Sequence, residues 1–315
     1  MNGQIPHIVQ YQGSKRILAP KILQYVPKSF NRLLEPFAGM AAITVAIAAG
    51  RRAKEYYVND INRPVVSILE SAVQTPRELV EAYGKIWSEQ FEFPAGHVSH
   101  YYHIRDRFNN GEQTPENMLY LLARCVKGSV RYSRSGQFNQ SPDKRRNGTN
   151  PINLSKNVNL ISLLLNKKCK FSSLDYREIL EMARPGDLIY MDPPYQGVSS
   201  SRDGRYCNGL DFDEFVESIR GLNSKGVDYL ISYDGKRGDK EYGFELPKEL
   251  RCAKILLEAG LSTQSTLLGE RDITFESLYV SNSLHPYVDL AGADGTAARE
   301  EPVKSPGSLL CGQSA

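Results

Sequence analysis

Apolar and polar positions follow two textures along this chain. Short apolar runs that stop at a polar or glycine-proline breaker recur in residues 1–74 and 166–285. Leu33 and Leu34 run into Glu35-Pro36-Phe37, Tyr56-Tyr57-Val58 into Asn59-Asp60, and Leu188-Ile189-Tyr190-Met191 stop at Asp192. Such runs predict buried strands. Lys170–Leu174, Tyr229–Tyr233 and Thr274–Val280 read the same way. Between them lie helix-like segments. Ile17, Leu18, Ile22, Leu23 and Val26 form one pattern, and a small-residue helix follows Gly39 and stops at Gly50. Asp211 caps a helix carrying Phe215, Val216, Ile219 and Leu222, and Pro247 is expected to open another that ends at Gly260. Strands alternating with helices predict an α/β fold around a mostly parallel sheet.

The texture changes at Thr75. Thr75-Pro76-Arg77-Glu78 has the form of a capping box, followed by Leu79, Val80, Tyr83, Ile86 and Trp87 on one helical face. Residues 92–112 are polar and aromatic. Thr114-Pro115 opens a helix through Met118, Leu121, Leu122 and Cys125. Lys127 to Pro151 then forms a long loop rich in Arg, Ser, Asn and Gln, and irregular loops of about 20 residues are uncommon unless functional or disordered. Residues 75–165 are therefore expected to be a mostly helical insertion into one α/β domain. Residues 286–315 lack a periodic apolar face and are expected to be a flexible tail.

Composition narrows the class. The net charge is only +3, but Arg124, Lys127, Arg131, Arg134, Lys144, Arg145 and Arg146 stand against Asp143 alone, the footprint of a phosphate-backbone partner or of a solvated loop. The five cysteines are widely spaced with no C-x-x-C pair, which points to reduced thiols rather than a structural zinc. His97, His100 and His103 are spaced like metal ligands, yet no acid or cysteine cluster completes a shell; solvent-facing histidines are the plainer account. No apolar run approaches the roughly 20 residues of a membrane span and no signal-peptide core opens the chain, so the expected location is the cytoplasm, with no membrane partner.

The chemistry concentrates around Asp192. A carboxylate there sits at the carboxyl end of a buried strand, where open α/β sheets bind ligands. Pro193 and Pro194 stiffen the turn and direct its carbonyls outward, and Tyr195 adds a flat aromatic face. Two acceptors and a stacking platform suit chemistry on a planar exocyclic amino group, whose conjugated lone pair must be localised before it can attack. The rival account is a rigid exit from a strand. Asp60 follows the Gly39 turn by about 20 residues, the spacing of an acid that binds ribose hydroxyls, or else caps the next helix. Tyr11, Gly13 and Lys15 lie in a polar loop where backbone amides and a cation meet a ligand. In the long loop, arginine, asparagine and glutamine suit base edges, and Tyr132 and Phe138 suit stacking or wedging.

Taken in order, QYQGSK (Gln10 to Lys15), EPFAG (Glu35 to Gly39), the Asp60 strand end, VRYSRSGQFN (Val130 to Asn139), DPPY (Asp192 to Tyr195) and ESLYVSN (Glu276 to Asn282) resemble the Dam-like, D12-class (alpha group) adenine N6-specific DNA methyltransferases from about Gln10 to Asn282. The resemblance implies a Rossmann-like, S-adenosylmethionine-dependent methyltransferase sheet (1–74 and 166–285) with a target-recognition insertion (75–165), and no metal. It implies double-stranded DNA as substrate, a monomer, and a restriction-modification, phage or orphan role, the first beside a cognate restriction endonuclease. By position, Tyr11 and Lys15 would contact the donor near its methionine end. Glu35, Phe37 and Gly39 belong to its pocket, Asp60 would bind its ribose, and Asp192 also borders it. Asp192 and Pro194, with Pro193 between them, would hold the adenine amino group, and Tyr195 would stack on the flipped base. Arg131 and Arg134 would hold phosphate or base edges, with Phe138 and Asn139 supporting the loop.

Two departures stand out. Ala41 occupies a turn position where the family often has a second glycine. Gln140 to Arg146 stand where the family often has V-P-x-G-R, which puts the usual GATC specificity in question. The nearest rivals are a cytosine N4- or RNA adenine methyltransferase; aspartate before Pro-Pro favours adenine, and residues 75–151 are large enough to read a duplex. A protein glutamine methyltransferase would not need the basic loop. An inert DNA-binding module is the rival of another class, and intact Asp192, Asp60 and Lys15 argue against it.

Overall fold

The computed structural model of the protein describes residues 5–194, 210–237, 240–242, 245–261, 273–287 and 298–299. From the amino end come α1 (Ala19–Ile22), β1 (Phe30–Glu35), α2 (Ala42–Ala49), β2 (Ala53–Asn59) and α3 (Arg63–Gln74). Four helices follow, α4 (Pro76–Glu92), α5 (Gly96–Asn109), α6 (Pro115–Arg124) and α7 (Pro151–Leu165). The sheet resumes with β3 (Cys169–Ser172), α8 (Tyr176–Glu181), β4 (Leu188–Met191), α9 (Phe212–Lys225), β5 (Asp228–Arg237), β6 (Lys240–Tyr242), β7 (Ala253–Leu261), β8 (Ile273–Val280) and β9 (Ala298–Arg299).

All these strands form one sheet in the order β3-β2-β1-β4-β5-β8-β7-β9, with β6 on β5. β1 to β5 are mutually parallel, and β8 runs antiparallel between β5 and β7. All four residues of β4 are buried, as an unbroken apolar run requires when helices cover both faces of a parallel sheet. The chain moves outward from β1 through β2 to β3, then returns on β1's other side as β4. This reversal is the switch point beyond which such sheets bind ligands.

The helical segment is anchored on that sheet. α7 turns Leu154, Val158, Ile161 and Leu165 inward and packs on α2 and α3 as well as α4. Its Ser162 Oγ donates to Val73 O at 2.8 Å. Among the described residues, no helix is long and apolar enough to cross a membrane.

Several expectations change. No helix runs from Pro247 to Gly260: a short 3-10 turn ends at Arg251 (φ +55), and β7 follows with Ile255 and Leu257 buried on alternate positions. That alternation is the strand period. Thr75 stands at the N-cap of α4, but its side chain makes no cap bond there. It closes α3, and its hydroxyl donates back to Ser71 O. Residues 96–109, polar in composition, form α5 by burying His100, Tyr101, Ile104 and Phe108. His100 is thus 1% exposed rather than solvent-facing; its Nδ1 lies 2.9 Å from the Tyr120 hydroxyl. Ile17, read as part of an apolar face, is exposed. Within the segment read as a flexible tail, Ala298 and Arg299 pair with Leu256 and Ile255. Cys125, Cys169 and Cys252 are free thiols; Cys207 and Cys311 lie outside the described residues.

Candidate active site at the strand ends

The carboxyl ends of β1, β2 and β4 bring together most of the residues singled out in sequence. Asn59, the last residue of β2, braces this edge. Its Nδ2 donates to Pro36 O and Leu174 O, each at 3.0 Å, while its Oδ1 accepts from Ser172 Oγ at 2.6 Å and from Leu174 N at 2.8 Å. One buried amide thus ties the ends of β1, β2 and β3. Its backbone carbonyl also accepts from Ala38 N at 2.8 Å. Sequence reading passed over Asn59 because an asparagine at a strand end looks like a turn residue.

The next residue, Asp60, joins the Gly39 turn to the chain just before α3. Oδ2 accepts from Gly39 N at 2.8 Å and Oδ1 from Asn62 N at 2.9 Å, the second bond bracing the entry to α3. Burial raises its pKa, opposed by these two backbone donors. Gly39 is held at φ +49, where a Cβ would stand 2.8 Å from Tyr11 Cε1. Tyr11 therefore lies directly on the glycine turn. Ala41, the position with alanine in place of glycine, adopts φ +52 and ψ +40, left-handed backbone that a glycine would reach without strain. Phe37 is half-buried with its ring 5.2 Å from that of Tyr176.

Glu35 lies beneath the turn and is 2% exposed. Its Oε2 accepts from Thr44 N at 3.0 Å and from the Thr44 hydroxyl, so the side chain caps the first turn of α2. Burial pushes its pKa up to about 8, opposed by those Thr44 bonds. Glu35 is therefore a buried support of the turn.

Lys15 is 6% exposed and lies between two acids. Its Nζ is 3.1 Å from Asp192 Oδ1 and 2.8 Å from Glu276 Oε2. The polar loop before α1 thus meets the end of β4, and the distal ESLYVSN stretch supplies a third charged group from β8. Under the same acid, the Tyr190 hydroxyl lies 2.7 Å from Ser232 Oγ, and burial together with the Asp192 charge raises the phenol well above its ordinary pKa. Pro193 is buried and Pro194 half-exposed; Tyr195 lies outside the described residues.

The basic loop divides into parts with different surroundings. Phe138 is 1% exposed, packed edge-on against Phe108 and Tyr132, so it supports the loop and does not stack on a base. Arg124 is fully buried and donates to His97 O at 3.2 Å. Asp143 pairs with Arg145 and Arg146. Arg134 is exposed and Arg131 half-buried, and Asn139, exposed, is held by its N–H to Arg131 O at 2.9 Å. The loop is also fastened to the strand-end cleft. Gln12 N donates to Gly128 O at 3.0 Å, Arg146 Nη1 to Gln10 Oε1 at 2.6 Å, and the Tyr132 hydroxyl to Asn62 Oδ1 at 3.1 Å. Gly128 has no room for a side chain there, since a Cβ would fall 2.1 Å from Gln10 O. Among the described residues no three His, Cys, Asp or Glu side chains group to hold a metal ion.

Comparison with known proteins gives one consistent family. The model of the D12 class N6 adenine-specific DNA methyltransferases matches residues 11–266. A type II methyltransferase, M1.LlaDCHI of Lactococcus lactis subsp. cremoris, is 24% identical over 260 residues, 78% of this chain and 86% of the relative. The retron Ec67 DNA adenine methylase of Escherichia coli is 28% identical over 233 residues, 71% of this chain and 76% of the relative. The DNA N-6-adenine-methyltransferase of Escherichia phage P1 is 23% identical over 245 residues, 74% of this chain but only 30% of that larger protein.

Proposed function

Because this chain belongs to the D12 class of N6 adenine-specific DNA methyltransferases, we propose that it moves a methyl group from S-adenosylmethionine to N6 of an adenine flipped out of a short duplex motif, with Asp192 as the acceptor that activates the amino group. The observation that carries this reading is the place of Asp192 at the β1–β4 switch point, next to the cation of Lys15.

The strand-end residues fit the donor. Asp60 keeps lone pairs for ribose hydroxyls beyond the two backbone donors that orient it. The Gly39 turn lies against Tyr11 without a Cβ between them, and Phe37 offers a partly open aromatic face beside the same turn. Lys15 supplies a cation for a carboxylate. When bound, the donor provides an electrophilic methyl on a sulfonium. Asp192 and the Pro194 carbonyl accept the two amino hydrogens and localise the nitrogen lone pair for an in-line attack. Transfer would break the donor's carbon–sulfur bond with its electron pair passing to sulfur, and the methylated nitrogen would pass one proton by way of Asp192 to solvent. Tyr195 stacks on the extruded base.

The segment 75–165 reads the DNA. Arg131 and Arg134 face phosphates or base edges, and Phe138 holds the loop's shape from behind. The chain acts as a monomer in the cytoplasm. The name of the Lactococcus relative, a type II methyltransferase, supports a modification role beside a restriction endonuclease that cuts the same motif. The test is methyl transfer in vitro from labelled donor to duplex DNA, with the product digested to nucleosides. Label in N6-methyladenine supports the reading; label in N4-methylcytosine, or none in DNA, contradicts it.

A further inference from the structure

Glu276 has a place in the site that neutralisation alone does not explain. A nearly buried ammonium needs an anion beside it, and for Lys15 one carboxylate suffices. Two carboxylates lie beside it, Asp192 and Glu276, and the Asp192 charge also reaches a third acid, Glu35, whose own burial already favours its neutral form. Electrostatics disfavours that surplus unless the second acid does something else.

The sheet fixes Glu276 firmly. It lies in the interior strand β8, in register with Gly235 of β5 on one side and Leu257 of β7 on the other. Opposite it, β5 shifts register between Ser232 and Gly235, with Asp234 at φ +58, and a Cβ on Gly235 would stand 2.9 Å from Phe275 O. Bulges of this kind re-aim a side chain next to a site. Asp192, by contrast, closes a strand and has to meet a base that arrives from outside. As the amino group approaches, the Lys15 contact on Oδ1 competes for the same acceptor.

We propose that Glu276 is a positioning residue for methyl transfer: it holds Lys15 from the sheet side, so that Asp192 can exchange its Lys15 contact for the adenine amino group. The proposal rests on the assignment of Asp192 as that acceptor. Without Glu276 the ammonium leans further on Asp192, which becomes a weaker and less available acceptor while the DNA surface stays in place.

The test is single-turnover methyl transfer by the full chain, on a duplex that the wild type methylates, with donor and DNA dissociation constants measured alongside. At saturating donor, Glu276→Gln lowers the transfer rate at least about tenfold, with the DNA constant within about threefold. In a Lys15→Met background, adding Glu276→Gln lowers the rate no further, because both act through one contact. Should Glu276→Gln fail to fold, Glu276→Asp keeps the charge one methylene short and gives an intermediate rate. Wild-type rates in Glu276→Gln or Glu276→Asp, multiplied losses in the double variant, or a rate loss that saturating donor abolishes overturn the proposal. A wild type that methylates no adenine overturns the functional reading on which it stands, and is told apart by that control.

Discussion

The backbone N–H of Gly39 donates to Asp60 Oδ2 at 2.8 Å, joining the turn after β1 to the acid after β2. The bond exists because β1 and β2 pair in parallel with Glu35 opposite Val58, so both strands end at one level. Gly39→Ala meets two obstacles there. Left-handed backbone costs roughly 1–2 kcal/mol, and the new methyl presses on Tyr11. Thermal denaturation is expected to show a lower midpoint, and calorimetry with S-adenosylmethionine a dissociation constant raised at least about tenfold, since the proposed donor site lies on the displaced turn. Unchanged donor affinity would separate this turn from the donor site.

Glu35 makes stability depend on pH. Its folded-state pKa of about 8 lies above the ordinary carboxyl value of 4.5, because burial favours the neutral form. The folded chain therefore keeps a proton that the unfolded chain releases. This contribution is complete below pH 4.5 and is lost as pH rises through about 8, with a slope of up to about 1.4 kcal/mol per pH unit in between. Glu35→Gln cannot ionise, so melting curves between pH 6 and 9 should flatten relative to the wild type. Parallel curves for the two proteins would place the titration elsewhere.

Arg134 and Phe138 lie in the same loop and should fail differently. Arg134→Glu is expected to leave the melting temperature nearly unchanged, but to weaken DNA binding and reduce the salt slope of log K by about one unit per lost phosphate contact. Phe138→Ala removes a fully buried ring, a change that costs about 3–5 kcal/mol in well-packed cores. It should lower the melting temperature, with the salt slope of the folded fraction retained. A salt slope unchanged in Arg134→Glu moves the phosphate contacts to another surface.

The strand ends were legible because each apolar run stops at residues with one local meaning: Pro36 and Gly39 after β1, Asp60 after β2, Asp192-Pro193-Pro194 after β4. Local chemistry, read in order, located the strand ends; the switch point between them comes from the strand order. The rest depended on contacts far apart in sequence. Residues 96–109 escaped a helix reading because His100 and Tyr101 do the burying that aliphatic residues usually do, their polar atoms meeting Tyr120 and Gln140 O. Pro247 resembled a helix start, yet the alternation of Ile255 and Leu257 after it was a strand signal that lost to the proline. Glu276 was visible only as part of a motif. That it reaches Lys15 follows from β8 running back between β5 and β7, which no local pattern announces.

The most direct test of the central claim is methylation-aware sequencing of DNA from a methylation-free host that expresses either the wild-type chain or Asp192→Ala. The wild type should place N6-methyladenine in one short motif. Asp192→Ala should lose the mark, its transfer reduced at least about 10²-fold, while still binding the donor. Unmodified adenine with the wild type, or an equal mark with Asp192→Ala, would contradict the account of Asp192 as the acceptor that activates the adenine.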